Sequence, residues 1–425
     1  MWAAATTRLG RPSRRSSRSA GKDLAVVQSY EDVAAAVGTP FYAYDADLFR
    51  ERIGRFRAAF GASPHTVCYA LKANDALALV AIAAEEGLGA DIVSGGELSK
   101  ALRAGMPAER IIFSGVGKRR DEIRAALEAG VRSVNVESLG ELDVVAQEAG
   151  ALGKVAPVSV RLNPDVPADT HAYVATGSAA SKFGLGPDDA RAAYARAAAD
   201  PALEPVGLSF HVGSQLLDPV PMVVAAGAAA VLWRELEGAG IRLRDLDVGG
   251  GLGIAYDHGE DAAVEPYAEL VSAAASHLGA ELVLEPGRWL AGPVGTFVTR
   301  VLYVKEVPDR RVVVCDGGMN DLIRPALYGA RHPISLLGAQ DRCQGLVDVV
   351  GPVCETGDFF ALGIELPRPE PGDLLAIGQA GAYCRVMASA YNARPFCAEV
   401  LREGGTFRVI REALPASVLA ANEAL

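Results

Sequence analysis

The chain predicts a (β/α)8 barrel followed by a β-rich domain, and three features of the sequence say so. Eight short apolar stretches alternate with Ala/Leu/Glu-rich helical stretches between residues 67 and 285, the order that yields a parallel sheet. Eight such units over this length close into a barrel, with an open doubly wound sheet as the alternative. The polar and glycine-rich signals fall at the C-terminal ends of these stretches, where barrels of this kind place their sites. Beyond about residue 291 the helical stretches stop, and β-rich segments separated by Gly, Pro and Asp turns take over, as in a separate sandwich or barrel.

Composition sets the outer limits. A chain of 425 residues, half of them hydrophobic, can bury two cores, and 22% charged residues excludes disorder over the body. A formal net charge of −11 argues against nucleic acid as a partner. No apolar run approaches the ~20 residues of a membrane span, so no membrane partner is expected. Cysteines 68, 315, 343, 354, 384 and 397 lack CxxC spacing and read as free thiols in a reducing compartment, the cytoplasm. No metal site is expected.

The elements follow in order. Residues 1–22 hold Arg8, Arg11, Arg14, Arg15, Arg18 and Lys22 with no acid, and read as a disordered basic tail; an organellar transit peptide is the alternative. Residues 23–44 are expected to pack on the β domain, with 41–44 (FYAY) as a strand. Asp45 then caps a helix running to about Phe60. The barrel, 45–290, has candidate strands at 67–72 (VCYALK), 90–94, 111–115, 133–137 (SVNVE), 157–163, 206–212, 244–250 (RDLDVGG) and 281–285. The β domain, 291–425, has strand-like segments at 294–307, 310–318, 347–354, 373–378 and 398–410.

The barrel's strand ends carry the chemistry. Lys72 closes the first strand, where desolvation lowers an ammonium's pKa and makes an amine nucleophile; a lysine snorkelling to water is the plainer reading. Ser94-Gly95-Gly96-Glu97 follows the second strand, Arg161 and Asn163 end the fifth, and His211 and Ser214 end the sixth. Gly249, Gly250 and Gly251 end the seventh and let backbone N–H groups approach an anion, which near strands seven and eight is usually a phosphate. Ser214 and the backbone of Gly287 and Arg288 complete that cradle. A phosphate, a reactive lysine and an acid together point to pyridoxal 5'-phosphate. Lys72 would form the Schiff base, Glu285 would pair with the ring nitrogen and His211 would stack on the ring. Asp91 is expected behind His211 or Arg161, or as an exposed helix cap.

The motifs YALKAN (69–74), SKFG (181–184), HVGSQ (211–215), GGGLG (249–253), EPGR (285–288), DGGMNDLIRPALY (316–328) and GPVCETGD (351–358) resemble those of the diaminopimelate decarboxylases, within the alanine-racemase-like, fold-type III pyridoxal phosphate enzymes. The likeness covers roughly residues 25–400. It implies decarboxylation of meso-2,6-diaminopimelate to L-lysine, the last step of lysine biosynthesis, by a homodimer with shared active sites. It also implies that Arg324 and Tyr328 bind the substrate end that keeps its carboxylate. Cys354 and Glu355 would come from the second subunit, and Tyr383 would approach the phosphate. Arg288 and Arg324 offer two guanidinium forks and Glu355 an acceptor, a set that suits a diamino-dicarboxylic acid. Outside its motif Arg324 reads as a surface salt bridge. Thr356, Trp289, Cys384 and Arg385 depart from the family pattern, and Trp289 is expected to narrow the pocket. Three other readings stay open: a related decarboxylase of another amino acid in secondary metabolism, a racemase of the same class, and a non-catalytic regulatory homologue.

Overall fold

The structure, a computed structural model, describes residues 28–166, 181–256, 259–338 and 341–423. The basic segment 1–22 lies outside them. Strand β1 (Phe41–Asp45) comes first and belongs to no barrel. The Asp45 carboxylate then accepts from Leu48 N at 2.9 Å and starts the helix Ala46–Ala59.

Eight parallel strands close the barrel: β2 (His65–Ala70), β3 (Gly89–Ile92), β4 (Ile111–Phe113), β5 (Ser133–Val136), β6 (Ala156–Leu162), β7 (Leu203–Phe210), β8 (Asp245–Asp247) and β9 (Glu281–Leu284). The pairing of Val67 with Leu284 shuts the ring. Five of these strands stop two or three residues before the bounds the sequence suggests, and the other three stop one residue before. At β8 the reason is local: Gly249 has φ +68°, a left-handed conformation that ends a ladder. Lys72 consequently sits in the turn two residues beyond β2 rather than in the strand.

The rest of the chain forms a second sheet of nine strands among the described residues: β1 with β10 (Gly295–Glu306), β11 (Arg311–Cys315), β12 (Ile334–Leu336), β13 (Gln344–Val350), β14 (Phe359–Pro367), β15 (Leu374–Ile377), β16 (Ala398–Glu403) and β17 (Thr406–Arg411). β1 lies between β10, antiparallel, and β16, parallel, so the residues before the barrel are woven into the sheet that follows it. β12 and β14 were not legible in the sequence. β12 has three residues, and β14 leaves several side chains exposed around Gly363, which erases the alternation.

The sheet is stitched to the mouth of the barrel. Tyr383 N donates to Ala73 O at 2.8 Å, and Asn74 Nδ2 donates to Gly381 O at 2.8 Å. One core runs through both parts, from Leu208 and Val160 inside the ring to Tyr42 and Phe297 in the sheet, whose rings lie 4.8 Å apart. No described helix is long and apolar enough to cross a membrane.

Candidate active site

The turn after β2 is fixed from both sides, by Ala73 N on Ala70 O and by the Tyr69 hydroxyl on Asn74 O. It delivers Lys72 Nζ to within 2.5 Å of Asp91 Oδ2 and 3.9 Å of Glu285 Oε2. Burial pulls the ammonium down, but Asp91 and then Glu285 outweigh it, and the net pKa lies above the ordinary lysine value. The expected depression is therefore reversed, because the strand end is lined with acids and not only with hydrocarbon. Asp91 is also reassigned. It is fully buried on β3 and pairs with Lys72, while the following helix is capped by Ser94, whose hydroxyl accepts from Glu97 N.

A third buried carboxylate, Asp247, stands close by. Asp247 Oδ1 accepts from Gly249 N at 2.9 Å and its Oδ2 accepts from Asn135 Nδ2 at 3.0 Å. Asn135 Nδ2 also reaches Ser114 Oγ at 3.2 Å, and that hydroxyl donates to Glu285 Oε1 at 3.3 Å. Burial, then the charge of Asp91, pushes Asp247 up to about 6 although Gly249 N, Glu285 and Asn135 bond to it, and burial, then the charges of Asp247 and Asp91, pushes Glu285 well above the usual carboxyl value. With Asp91 as a third carboxylate at the same ammonium, Asp247 and Glu285 both hold a proton more readily than ordinary carboxyls.

His211 follows β7. Gly250 N donates to its Nδ1 at 3.3 Å, so in the neutral ring Nε2 carries the hydrogen. Burial, then Arg161 and Lys72, hold its pKa well below the usual value. Arg161 is itself pinned by Glu137 at 3.0 Å and lies over the Phe183 ring.

The opposite wall is basic. Buried Arg288 donates from Nη2 to Ser214 Oγ at 3.0 Å and from Nη1 to the Tyr256 hydroxyl at 2.5 Å, and its guanidinium lies 4.8 Å from the Tyr383 ring centre. Tyr383 has φ +56°, a strained value for a bulky residue and of a kind that gathers at functional sites. Arg324 opens the short helix Arg324–Tyr328. It is buried, not a surface salt bridge, and donates from Nε to His332 Nε2 at 3.3 Å.

Lys72, His211, Ser214, Glu285, Arg288, Arg324, Tyr328 and Tyr383 line one cavity of about 250 Å³. Gly249, Gly250, Gly251 and Gly287 do not line it. A Cβ at Gly250 would stand 2.2 Å from Glu285 O and one at Gly251 2.6 Å from Gly213 O, so these glycines serve the close backbone packing behind His211 and Glu285. Cys354 and Glu355 are exposed on a loop of the second sheet and do not line the cavity either. That loop is held by Asp358, which accepts from Val353 N and Met319 N, and by Asn392, which accepts from Cys354 N. Trp289 does not narrow the pocket. Its Nε1 donates to Ala262 O, Arg52 stacks on it at 4.0 Å, and the ring borders a separate small cavity. Cys384 is buried without lining the main cavity, and Arg385 pairs with Glu399.

Asp247, Asn135, Ser114, Tyr256 and His332 were missed from the sequence. The first two had a signal: SVNVE and DLDVGG place polar residues inside barrel strands, where a buried polar group needs a partner. Tyr256 and His332 had none.

Residues 46–292 match the family described as pyridoxal-dependent decarboxylase, pyridoxal binding domain. The chain is 46% identical over 382 residues to a diaminopimelate decarboxylase of Neisseria meningitidis serogroup B, covering 90% of this chain and 92% of the relative. It is 43% identical over 386 residues to that of Zymomonas mobilis, covering 90% and 91%. Among solved structures, diaminopimelate decarboxylase from Helicobacter pylori complexed with L-lysine superposes with a TM-score of 0.89 at 41% identity, over 92% of this chain and 98% of that one.

Proposed function

The chain belongs to the diaminopimelate decarboxylase family, and on that premise we propose that it uses pyridoxal 5'-phosphate to convert meso-2,6-diaminopimelate to L-lysine, the last step of lysine biosynthesis. The observation that carries this reading is a single cavity with a lysine among carboxylates at one end and two buried arginines at the other.

The donor set fits the cofactor. Lys72 offers the amine that would hold it, and Glu285 a carboxyl for its ring nitrogen. Neutral His211 offers a flat face. Arg288, Ser214 and Tyr383, which line the cavity, suit a phosphate. When bound, the cofactor supplies an electron sink for the charge left at carbon as carbon dioxide departs.

The remaining work falls to the chain. Asp91 Oδ2 is the acceptor nearest to Lys72 Nζ and takes or returns its proton. Asp247 backs Glu285 through Asn135 and Ser114 and holds that carboxyl in place. Arg324 and Tyr328 take the carboxylate that survives the reaction, and Phe183, Phe210 and Val93 exclude water from the cavity. We assign to Cys354 the return of a proton from its thiol and to Glu355 the substrate's distal ammonium, both supplied by a second copy of the chain in a homodimer. Their exposure on a loop outside the cavity supports that sharing. We divide the chain into the barrel, 45–290, and the β domain, 291–425, with 23–44 packed on the latter. Six free cysteines suit a reducing compartment, the cytoplasm.

The test is direct. The purified chain, loaded with pyridoxal phosphate and given meso-diaminopimelate, should release carbon dioxide and L-lysine one for one. Carbon dioxide without lysine, or neither product, would contradict the reading.

A further inference from the structure

His332 sits behind the cavity wall and lines no part of the cavity. The residue is 6% exposed and its imidazole makes two polar contacts: Nδ1 lies 3.0 Å from Gly378 O, and Nε2 lies 3.3 Å from Arg324 Nε. These two neighbours fix the tautomer. A carbonyl only accepts, so Nδ1 must carry the hydrogen. A guanidinium only donates, so Nε2 must keep its lone pair. The ring is therefore neutral, and a doubly protonated ring would set two donors against each other at Arg324. Burial, and then the charges of Arg324 and Arg288, pull its pKa down to about 3, in agreement with that geometry.

The ring has little freedom to turn. β12 begins two residues after His332 and pairs with β15 in the register Ile334 to Ile377. Gly378 N closes the pair by donating to Pro333 O at 2.8 Å. On its other side the ring meets Tyr256 edge to face, at 5.1 Å and 74°. The Tyr256 ring in turn lies under the Arg324 guanidinium at 5.0 Å.

The consequence lies in what remains of the fork. A guanidinium can meet a carboxylate side-on, through Nε and one terminal nitrogen, or end-on, through both terminal nitrogens. With Nε–H spent on His332, only the end-on pair is left to a ligand. We propose that His332 is a positioning residue that commits Arg324 to end-on, bidentate capture of the substrate's surviving carboxylate, and thereby sets the preference for ligands that carry one. This rests on the reading above that Arg324 meets that carboxylate.

The experiment uses the holoenzyme and two competitive ligands that differ by one carboxylate, L-lysine and 1,5-diaminopentane. His332→Leu removes both hydrogen bonds. His332→Gln keeps an acceptor within reach of Arg324, and His332→Asn keeps the donor to Gly378 alone. For His332→Leu and His332→Asn, KM for meso-diaminopimelate and Ki for L-lysine should rise about tenfold or more, with the smaller part of the loss in kcat. Ki for 1,5-diaminopentane should move by about twofold at most. His332→Gln should recover most of the loss. Should the Leu protein not fold, the Asn and Gln proteins carry the same comparison. Equal weakening of both ligands, an unchanged KM, or a Gln protein as poor as the Asn protein overturns the inference. Arg324→Ala is the control: if it fails to separate the two ligands, the reading of Arg324 has failed, and not the role of His332 alone.

Discussion

The two ends of the cavity treat their ionisable groups oppositely. At the barrel end, Asp91 and Glu285 raise the Lys72 pKa although burial lowers it. At the sheet end, Arg324 and Arg288 push in the same direction as burial and bring His332 down to about 3. Burial alone would have lowered both pKa values, and at Lys72 the neighbours reverse the sign. One end keeps a cation charged and the other demands an anion, which is the division of labour expected for a substrate with an amine to be processed and a carboxylate to be held.

The sharpest way to break this comparison is to remove the cation of the acidic end. Lys72→Ala should lose activity by about a thousandfold or more, and borohydride should then fix no cofactor on the peptide that contains residue 72. A label on another lysine in the native protein would displace Lys72 from its role. The same variant tests sharing between copies. Mixed one to one with inactive Cys354→Ala, it should regain about a quarter of native activity, since half of the random dimers carry one intact site. No recovery, with exchange of subunits confirmed, would contradict a shared site.

Next in size is the basic end. Arg324→Ala should lower kcat/KM for meso-diaminopimelate by about a hundredfold, because a buried carboxylate loses its charged partner. Titration with pyridoxal phosphate should show cofactor affinity changed by about threefold at most, as that loss lies away from the cofactor's donors. Equal losses in both would merge the two ends into one.

Asp91→Asn sharpens the claim that neighbours set the sign. Without that carboxylate the Lys72 pKa should fall. Amine-directed acylation of residue 72 in the cofactor-free protein should then begin at lower pH. An unchanged profile would mean that Asp91 does not hold the lysine's charge.

The smallest effect is on stability. An unfolded histidine titrates near pH ~6.5, whereas folded His332 refuses a proton down to about 3. The unfolded state thus binds the extra proton, and stability is lost as pH falls through that window. Replacing His332 with Gln should flatten this loss by up to about 1 kcal/mol per pH unit between pH ~6 and ~4. Denaturant titrations of the two proteins at several pH values measure it, and parallel curves would contradict a neutral folded ring.

Much of the acidic end was legible in the sequence, because a barrel puts its strand ends on one face. Lys72, His211 and Glu285 each follow a strand, and their meeting needs only the closure of the ring. The partners beneath them were harder to see. Asp91, Asp247 and Asn135 lie within strands, and which acid faces the lysine depends on the register between strands, which no periodicity states. At the basic end Arg288 was legible after the eighth strand, and Arg324 only through the motif around it. Tyr256 comes from a barrel loop, and His332 and Gly378 meet through the β12–β15 pairing. Contacts between such distant stretches leave no local pattern. Trp289 misled for a related reason: it directly follows Arg288, but the short helix Arg288–Ala291 turns successive side chains to different sides.

The most direct measurement of the central claim compares kcat/KM of the native holoenzyme for meso-diaminopimelate, L-lysine, D-lysine and L-ornithine. A basic end that demands a carboxylate predicts a preference of about a hundredfold or more for meso-diaminopimelate, since the monocarboxylic acids leave an arginine buried without its anion. A preference for any of the other three would contradict it.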